Sequence, residues 1–108
     1  MHALIVVAHH DPQSLTHSLA AQVAAGLTAG GHTYEVADLA AEGFDPRYTA
    51  ADHLVHRTRA EPPADVLAEQ ARIDRADALV LAFPIYWWSL PGLLKGWVCL
   101  LYTSDAAD

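Results

Sequence analysis

The amino-acid sequence predicts an α/β fold in which a parallel sheet carries helices on both faces. Two continuous aliphatic runs, Ala3–Ala8 and Ala78–Phe83, are typical of strands that are buried on both sides. Segments with helical spacing of apolar residues lie between and after these runs, in the order β-α-β-insert-α-β-α and without an internal repeat. This alternation favours parallel strands joined by right-handed helical crossovers.

The first three elements form a strand–helix–strand unit. The strand Ala3–Ala8, expected at the centre of the sheet, runs into the loop His9–Gln13, and Ser14 is a typical N-cap for the following helix. Gly30-Gly31 ends that helix, and Tyr34–Leu39 predicts a second strand, less apolar and therefore nearer a sheet edge. The predicted buried face of the helix consists of Leu15, Leu19, Val23 and Leu27.

The second half of the chain predicts helices on either side of a third strand. Ala40–Pro63 is a long excursion with a short helix at about Thr49–Arg57, and Pro62-Pro63 begins a helix that reaches about Arg75. One face of this helix is expected to be Val66, Leu67, Gln70 and Ile73. After the third strand, Ser89 is expected to cap the last helix, with Pro91 in its first turn. The apolar face of that helix is Leu90, Leu93, Leu94, Trp97, Val98 and Leu101, which places Trp97 in the core.

Composition narrows the class of partner. The chain has 108 residues, of which 53% are hydrophobic, and a formal net charge of −7, with Lys95 and five arginines as its only strong cations. Such a charge balance disfavours nucleic acid and anionic membrane surfaces as partners. A single cysteine, Cys99, excludes an internal disulfide, and no signal peptide or membrane-spanning run is evident, so we expect a cytoplasmic protein.

Two loops follow the two aliphatic strands and are the candidate ligand site. In an open α/β sheet, ligands bind beyond the carboxyl ends of the strands, where the strand order reverses. The first loop leads into a helix N-terminus, which attracts a phosphate without basic residues, and the hydroxyls of Ser14, Thr16 and Ser18 add to it. The second loop, Ile85-Tyr86-Trp87-Trp88, offers aromatic rings and backbone amides to a flat heterocycle. A phosphate and a flat ring together describe a flavin nucleotide.

Two alternatives remain open at this point. The three adjacent aromatic residues Tyr86, Trp87 and Trp88 are also compatible with packing under a helix. The cluster His9-His10-Asp11, with His17 nearby, offers metal-ligating side chains, but its spacing fits no standard zinc pattern, and no metal site is predicted.

Three separated motifs resemble the flavodoxin-like NAD(P)H dehydrogenase (quinone) family. They are VVAHHDPQSLTHSL at 6–19, Asp38-Leu39 with EGFDP at 42–46, and FPIYWWSLPGLLKGW at 83–97. The resemblance implies a flavodoxin-like three-layer α/β/α fold with strand order 2-1-3 of an expected 2-1-3-4-5. It also implies a homodimeric flavoprotein oxidoreductase that carries FAD or FMN and passes hydride from NAD(P)H to a quinone-like acceptor.

The resemblance also implies which residues contact the flavin. His9, Ser14, Leu15, Thr16 and Ser18 would contact its phosphates. Pro84, Ile85, Tyr86, Trp87 and Trp88 would line its isoalloxazine ring, with no general acid or base assigned. The phosphate loop is a variant, since many relatives have proline where His10 stands and an aromatic residue followed by asparagine where Leu15 and Thr16 stand.

The resemblance stops near residue 98. We therefore expect residues 1–98 to be the N-terminal part of a flavodoxin-like flavin-binding domain and Cys99–Asp108 to be a non-native tail. A three-strand sheet would leave the third strand as an open edge, so the isolated chain is expected to be marginally stable or to aggregate. The enzyme has two alternatives. One is an ancillary regulatory subunit of a potassium-efflux transporter, because such subunits share these motifs. The other is an inactive truncated fragment.

Overall fold

The structure, a computed structural model, describes residues 1–58 and 61–105. Its elements are β1 (His2–Val7), α1 (Leu15–Ala29), β2 (Thr33–Asp38), α2 (Ala50–Thr58), α3 (Ala64–Arg75), β3 (Ala78–Ala82) and α4 (Gly92–Asp105). Residues 59 and 60 of the predicted excursion and 106–108 of the predicted tail lie outside the described residues. None of the helices described is long and apolar enough to cross a bilayer.

The three strands form one parallel sheet in the order β2-β1-β3, which confirms the predicted topology. The strand β1 is central and its residues Ala3–Val7 are fully buried, whereas β2, the more polar strand, lies at one edge. Because the chain passes from β1 to one side and then returns to the other, the strand order reverses between β1 and β3. The carboxyl ends of these two strands are therefore where a ligand is expected.

Helices cover both faces of the sheet, giving the three layers that were predicted. On one face, Ile5 and Val7 pack with Ala20 and Ala24 of α1. On the other face, β1 and β2 pack with α3 and α4 in a larger cluster, made of Leu4, Val6, Ala8, Ala37, Leu39, Val66, Leu94, Trp97, Leu100 and Leu101. Trp97 is buried in this cluster, as predicted from its helical spacing.

The predicted buried face of α1 is wrong at three of its four positions. Leu15, Leu19 and Val23 are 75%, 51% and 38% exposed, and the residues that face the sheet are Thr16, Ala20 and Ala24. Small alanine side chains let the helix lie close to β1, and tertiary packing overrides the apolar count along the helix. Leu15, Leu19 and Val23 are consequently exposed, whereas Leu27 is partly buried and packs against the cluster that contains Ile5 and Val7.

The strand β3 is also less buried than its aliphatic sequence predicts. Leu79 and Leu81 are 46% and 38% exposed. They pair in register with Leu4 and Val6, so they share the sheet face on which α3 and α4 pack. The buried cluster on that face takes its strand residues from β1 and β2, which leaves β3 uncovered there.

An ion-pair network fixes α3 against β2 and α4. Glu69, which the sequence did not indicate as buried, accepts a hydrogen bond of 2.9 Å from the Trp97 indole N–H and lies 3.2 Å from Arg72 Nη1. Arg72 also donates to Glu42 at 2.7 Å, and this hydrogen bond raises the pKa of the Arg72 guanidinium. The predicted α3 face is therefore incomplete, because Glu69 is buried beside Val66 whereas Leu67 is exposed.

The last helix begins later than predicted and runs further. It starts at Gly92, and Ser89 instead belongs to the preceding turn, so Ser89 is not the N-cap. The helix continues beyond Val98 to Asp105, with Leu100 and Leu101 in the core. The non-native origin of 99–108 stays a prediction.

Candidate functional site

The N-terminus of α1 lies directly after β1 and keeps two backbone donors open. The Ser14 hydroxyl oxygen caps the helix by accepting the His17 backbone N–H at 3.2 Å, and the Ser14 N–H donates to the Asp11 carbonyl at 3.1 Å. Within the described residues, the N–H groups of Leu15 and Thr16 donate to no acceptor. Unsatisfied N–H groups in the first turn of a helix are the donors that bind phosphate oxygens.

The loop between β1 and α1 is held by its own side chains. The Asp11 N–H donates to His9 Nδ1 at 3.0 Å, and the Gln13 N–H donates to the Asp11 carboxylate at 2.9 Å. The ring of His9 stacks on that of His10 at a centroid distance of 4.5 Å. The amides of Asp11 and Gln13 are thus engaged within the loop, whereas those of Leu15 and Thr16 at the helix end stay open.

A hydrogen-bonded chain joins the helix cap to β2. Ser14 Oγ lies 2.9 Å from His17 Nδ1, and His17 Nε2 lies 2.8 Å from a carboxylate oxygen of Asp38, the last residue of β2. The second oxygen of that carboxylate accepts the Ala41 N–H at 3.2 Å. Sequence reasoning did not assign His17 or Asp38 to the flavin site. The available signal was that Asp38 ends β2 and that His17 lies in the first turn of the helix after β1, the strand next to β2.

These groups line a cleft of about 180 Å³ at the carboxyl ends of β1 and β2. Its lining residues are His9, His10, Pro12, His17, Asp38, Ala40 and Ala41. Neither lysine nor arginine is among them, so histidine is the only residue type in the lining that can carry positive charge. The structure describes no group of three or more metal-ligating side chains in the residues it covers.

The aromatic residues after β3 form a tight turn. The backbone of Tyr86 and that of Ser89 bond each other reciprocally, at 3.1 and 3.0 Å, which places Trp87 and Trp88 at the two central positions. Both have positive φ, 48° and 68°, and both are 90% exposed. Two positive φ angles at these positions are typical of a type I′ turn, which normally contains glycine or asparagine. The rings are therefore not core packing, the first alternative above.

This turn presents two amides as well as two rings. The Tyr86 N–H is used within the turn, whereas those of Trp87 and Trp88 donate to no described residue. Left-handed conformations of bulky residues are unfavourable by roughly 1–3 kcal/mol each and occur mostly at functional sites. The exposed tryptophans and their open amides thus lie together on one surface of the turn.

The two loops meet at the strand-order reversal. The Ala8 N–H donates to the Ala82 carbonyl at 3.0 Å, so the residues after β1 and β3 leave the sheet side by side. Thr16, which is buried, and Phe83 line one cleft of about 230 Å³. The helix end and the start of the aromatic segment therefore share one crevice.

The remaining predicted site residues differ in exposure. His9, Ser14 and Pro84 are half-buried, whereas Leu15 and Ser18 are exposed. Ile85 and Tyr86 are exposed with the two tryptophans. The sequence-predicted residues thus fall on the two loops at this end of the sheet, one set on the α1 side and one on the β3 side.

The chain is similar to known proteins in sequence and in structure. A family model described as flavodoxin-like fold matches residues 1–105. The chain belongs to this flavodoxin-like family. The NAD(P)H:quinone oxidoreductase from Methanothermobacter marburgensis superposes with a TM-score of 0.90 at 34% identity, over 96% of this chain and 54% of that one.

Two curated relatives are named for related chemistry. The ribosyldihydronicotinamide dehydrogenase [quinone] of Pongo abelii is 34% identical over 88% of this chain and 48% of its own length. The NADH-dependent FMN reductase SfnF of Pseudomonas fluorescens is 37% identical over 75% of this chain and 38% of its own length. The chain spans about half the length of the first of these relatives.

Proposed function

We propose that this chain provides the flavin-binding half of a NAD(P)H:quinone oxidoreductase that carries FAD or FMN and acts as a homodimer when complete. The observation that carries the proposal is the pairing of an open helix N-terminus with an exposed tryptophan turn at the strand-order reversal. The names of relatives, which include quinone oxidoreductases and an FMN reductase, support it.

The donors present fit a flavin nucleotide. The open N–H groups of Leu15 and Thr16, with the hydroxyls of Ser14 and Ser18, suit phosphate oxygens, which need donors more than they need a lysine. The exposed rings of Trp87 and Trp88 suit a flat heterocycle that stacks on or beside them. His9 and Pro84–Tyr86 complete the two sides of the crevice.

A bound flavin would supply hydride transfer between a nicotinamide and a quinone-like acceptor. The chain's own contribution is to position the flavin and to shield it from water. The amides of Trp87 and Trp88 would stabilise negative charge at the edge of the ring, as fixed backbone dipoles do at other anionic sites. The indoles would exclude water from the face on which the nicotinamide and the acceptor bind in turn.

The test of the phosphate end uses Leu15, the first residue of α1. Proline is well tolerated at this position of a helix, and Ser14 already has φ −73° and ψ 161°, the extended conformation that proline requires of its predecessor. Leu15→Pro removes one open N–H, and Leu15→Ala keeps it. We expect the proline variant to bind FMN roughly 10- to 100-fold more weakly than the alanine variant, the effect of one charge-assisted hydrogen bond.

Riboflavin, which lacks the phosphate, is the matched control ligand. Its affinity should be the same for both Leu15 variants. The affinities are measured by quenching of flavin fluorescence, and oxidation of NADH and of NADPH is followed with menadione as acceptor. Failure of the 108-residue chain to bind either FMN or FAD would contradict the proposal. Flavin binding without menadione-dependent NAD(P)H oxidation would favour a flavin-binding role without this activity.

A further inference from the structure

The hydrogen bonds of His17 fix the direction of every proton between Asp38 and Ser14. An ionised Asp38 carboxylate only accepts, and its other oxygen accepts the Ala41 N–H, so His17 Nε2 carries the proton that it shares with Asp38 at 2.8 Å. In a neutral imidazole, Nδ1 then has a lone pair and accepts. The Ser14 hydroxyl, 2.9 Å away, must therefore donate its proton to Nδ1.

This arrangement withholds the Ser14 proton from a ligand. Ser14 Oγ also accepts the His17 backbone N–H at 3.2 Å, so its cap role does not depend on the direction of its own proton. If His17 takes up a proton, Nδ1–H becomes a donor to Ser14 Oγ. The oxygen then accepts two N–H groups, and its O–H turns free to donate to a phosphate oxygen beside the open amides of Leu15 and Thr16.

The charges around the cleft favour the uptake of a proton by His17 when an anion binds. The groups that face His17 are His9, whose ring lies edge-on at 6.3 Å, His10 stacked behind it, and Asp38; Asp11 lies in the same loop. With the histidines neutral, the two carboxylates make this region negative. The open N–H groups attract a phosphate there and the carboxylates repel it, so a proton gained by His17, 2.8 Å from Asp38, would reduce this repulsion.

We infer that His17 is a proton-linked positioning residue, which takes up one proton from solvent when a flavin phosphate binds at the α1 N-terminus and thereby frees the Ser14 hydroxyl to donate to it. The inference rests on the proposed flavin function. His17 acts through Ser14 and need not touch the flavin.

The closing experiment follows the ring nitrogens of the histidines in the ¹⁵N-labelled chain at pH 7.5 by long-range ¹H–¹⁵N spectra, without ligand, with FMN, with FAD and with riboflavin. We expect His17 to be neutral and protonated on Nε2 in the free chain, and to be protonated on both nitrogens with FMN or FAD. Riboflavin, which has no phosphate, should leave it neutral.

The pH dependence of affinity is the second readout. Between pH 7 and 8.5, where a phosphate monoester is already doubly ionised, the Kd for FMN should rise up to about tenfold per pH unit. His17→Gln cannot take up the proton and should lose most of this slope. His53→Gln, an exposed histidine on α2, should keep it.

The outcomes separate the two proposals. A flavin that binds while His17 stays neutral, or that protonates His9 instead, overturns the inference and leaves the flavin function standing. Protonation of His17 by riboflavin also overturns it, because the phosphate would then not be the cause. If neither FMN nor FAD binds by fluorescence, the proposed function fails and the inference fails with it.

Discussion

The tryptophan turn predicts an inversion of the usual order of alanine and glycine. At ordinary exposed positions, replacement by alanine gives a more stable protein than replacement by glycine, since glycine loses more backbone entropy on folding. At Trp87 and Trp88 we expect the reverse, because φ is 48° and 68° and only glycine adopts these angles without strain.

The magnitude follows from two opposing effects. A non-glycine residue in the left-handed region is destabilised by roughly 1–2 kcal/mol. Glycine in place of alanine costs about 0.5–1 kcal/mol in backbone entropy. The glycine variant should therefore be more stable than the alanine variant by about 0.7 kcal/mol at each position, and by about 1.5 kcal/mol when both positions are changed. Since the rings are 90% exposed, the packing lost is small and is the same in both variants.

The assay is urea unfolding of the double variants Trp87→Ala/Trp88→Ala and Trp87→Gly/Trp88→Gly, at low micromolar concentration to limit pairing at the β3 edge. With a denaturant slope of about 2 kcal/mol/M, the midpoint of the glycine variant should be higher by roughly 0.7 M. The control pair is Gln22→Ala and Gln22→Gly on the exposed side of α1, where alanine should be the more stable by about 1 kcal/mol. Greater stability of the alanine double variant would refute the strain argument. Both double variants should bind flavin equally weakly, because both lack the rings.

Two further predictions concern the segment against which α4 packs. A Cβ on Gly96 would lie 2.7 Å from the Pro46 carbonyl oxygen, so Gly96→Ala should lower the free energy of unfolding by about 1–3 kcal/mol. A Cβ on Gly26 would have nothing within 4 Å, so Gly26→Ala should raise the free energy of unfolding by up to about 1 kcal/mol. Equal urea midpoints for the two variants would contradict this prediction. The Arg47 guanidinium, 2.8 Å from Asp45, holds the pKa of that carboxyl at about 2, below the ordinary 3.8, so the ion pair favours the fold above pH 3.8 and is lost as the pH falls towards 2. In Arg47→Ala, the Asp45 carboxyl resonance should titrate closer to 3.8, and an unchanged pKa would show that Arg47 is not the cause.

Most of the architecture could be predicted because it depends on local pattern. The aliphatic run of β1 identified the central strand, and the polar residues of β2 identified an edge. The apolar spacing in α4 placed Leu94 and Trp97 in the core correctly. Periodicity failed for Leu15, Leu19 and Val23 of α1, which are exposed while Ala20 and Ala24 face the sheet, because closeness of approach outweighed hydrophobicity. It also missed Glu69, since a buried carboxylate is recognisable only from its partners Trp97 and Arg72.

The sequence by itself determined the fold class, the strand order suggested by its motifs, and the two loops on which we expect a ligand site, because each depends on residues adjacent in the chain. Only the tertiary structure brought His17 to Asp38 across 21 residues and set the two tryptophans at positive φ. These features depend on which strands are neighbours and how closely backbones approach, and residue type alone does not specify either. The hydrogen bonds of His17 and the strained turn are therefore the parts of the candidate site that structure added.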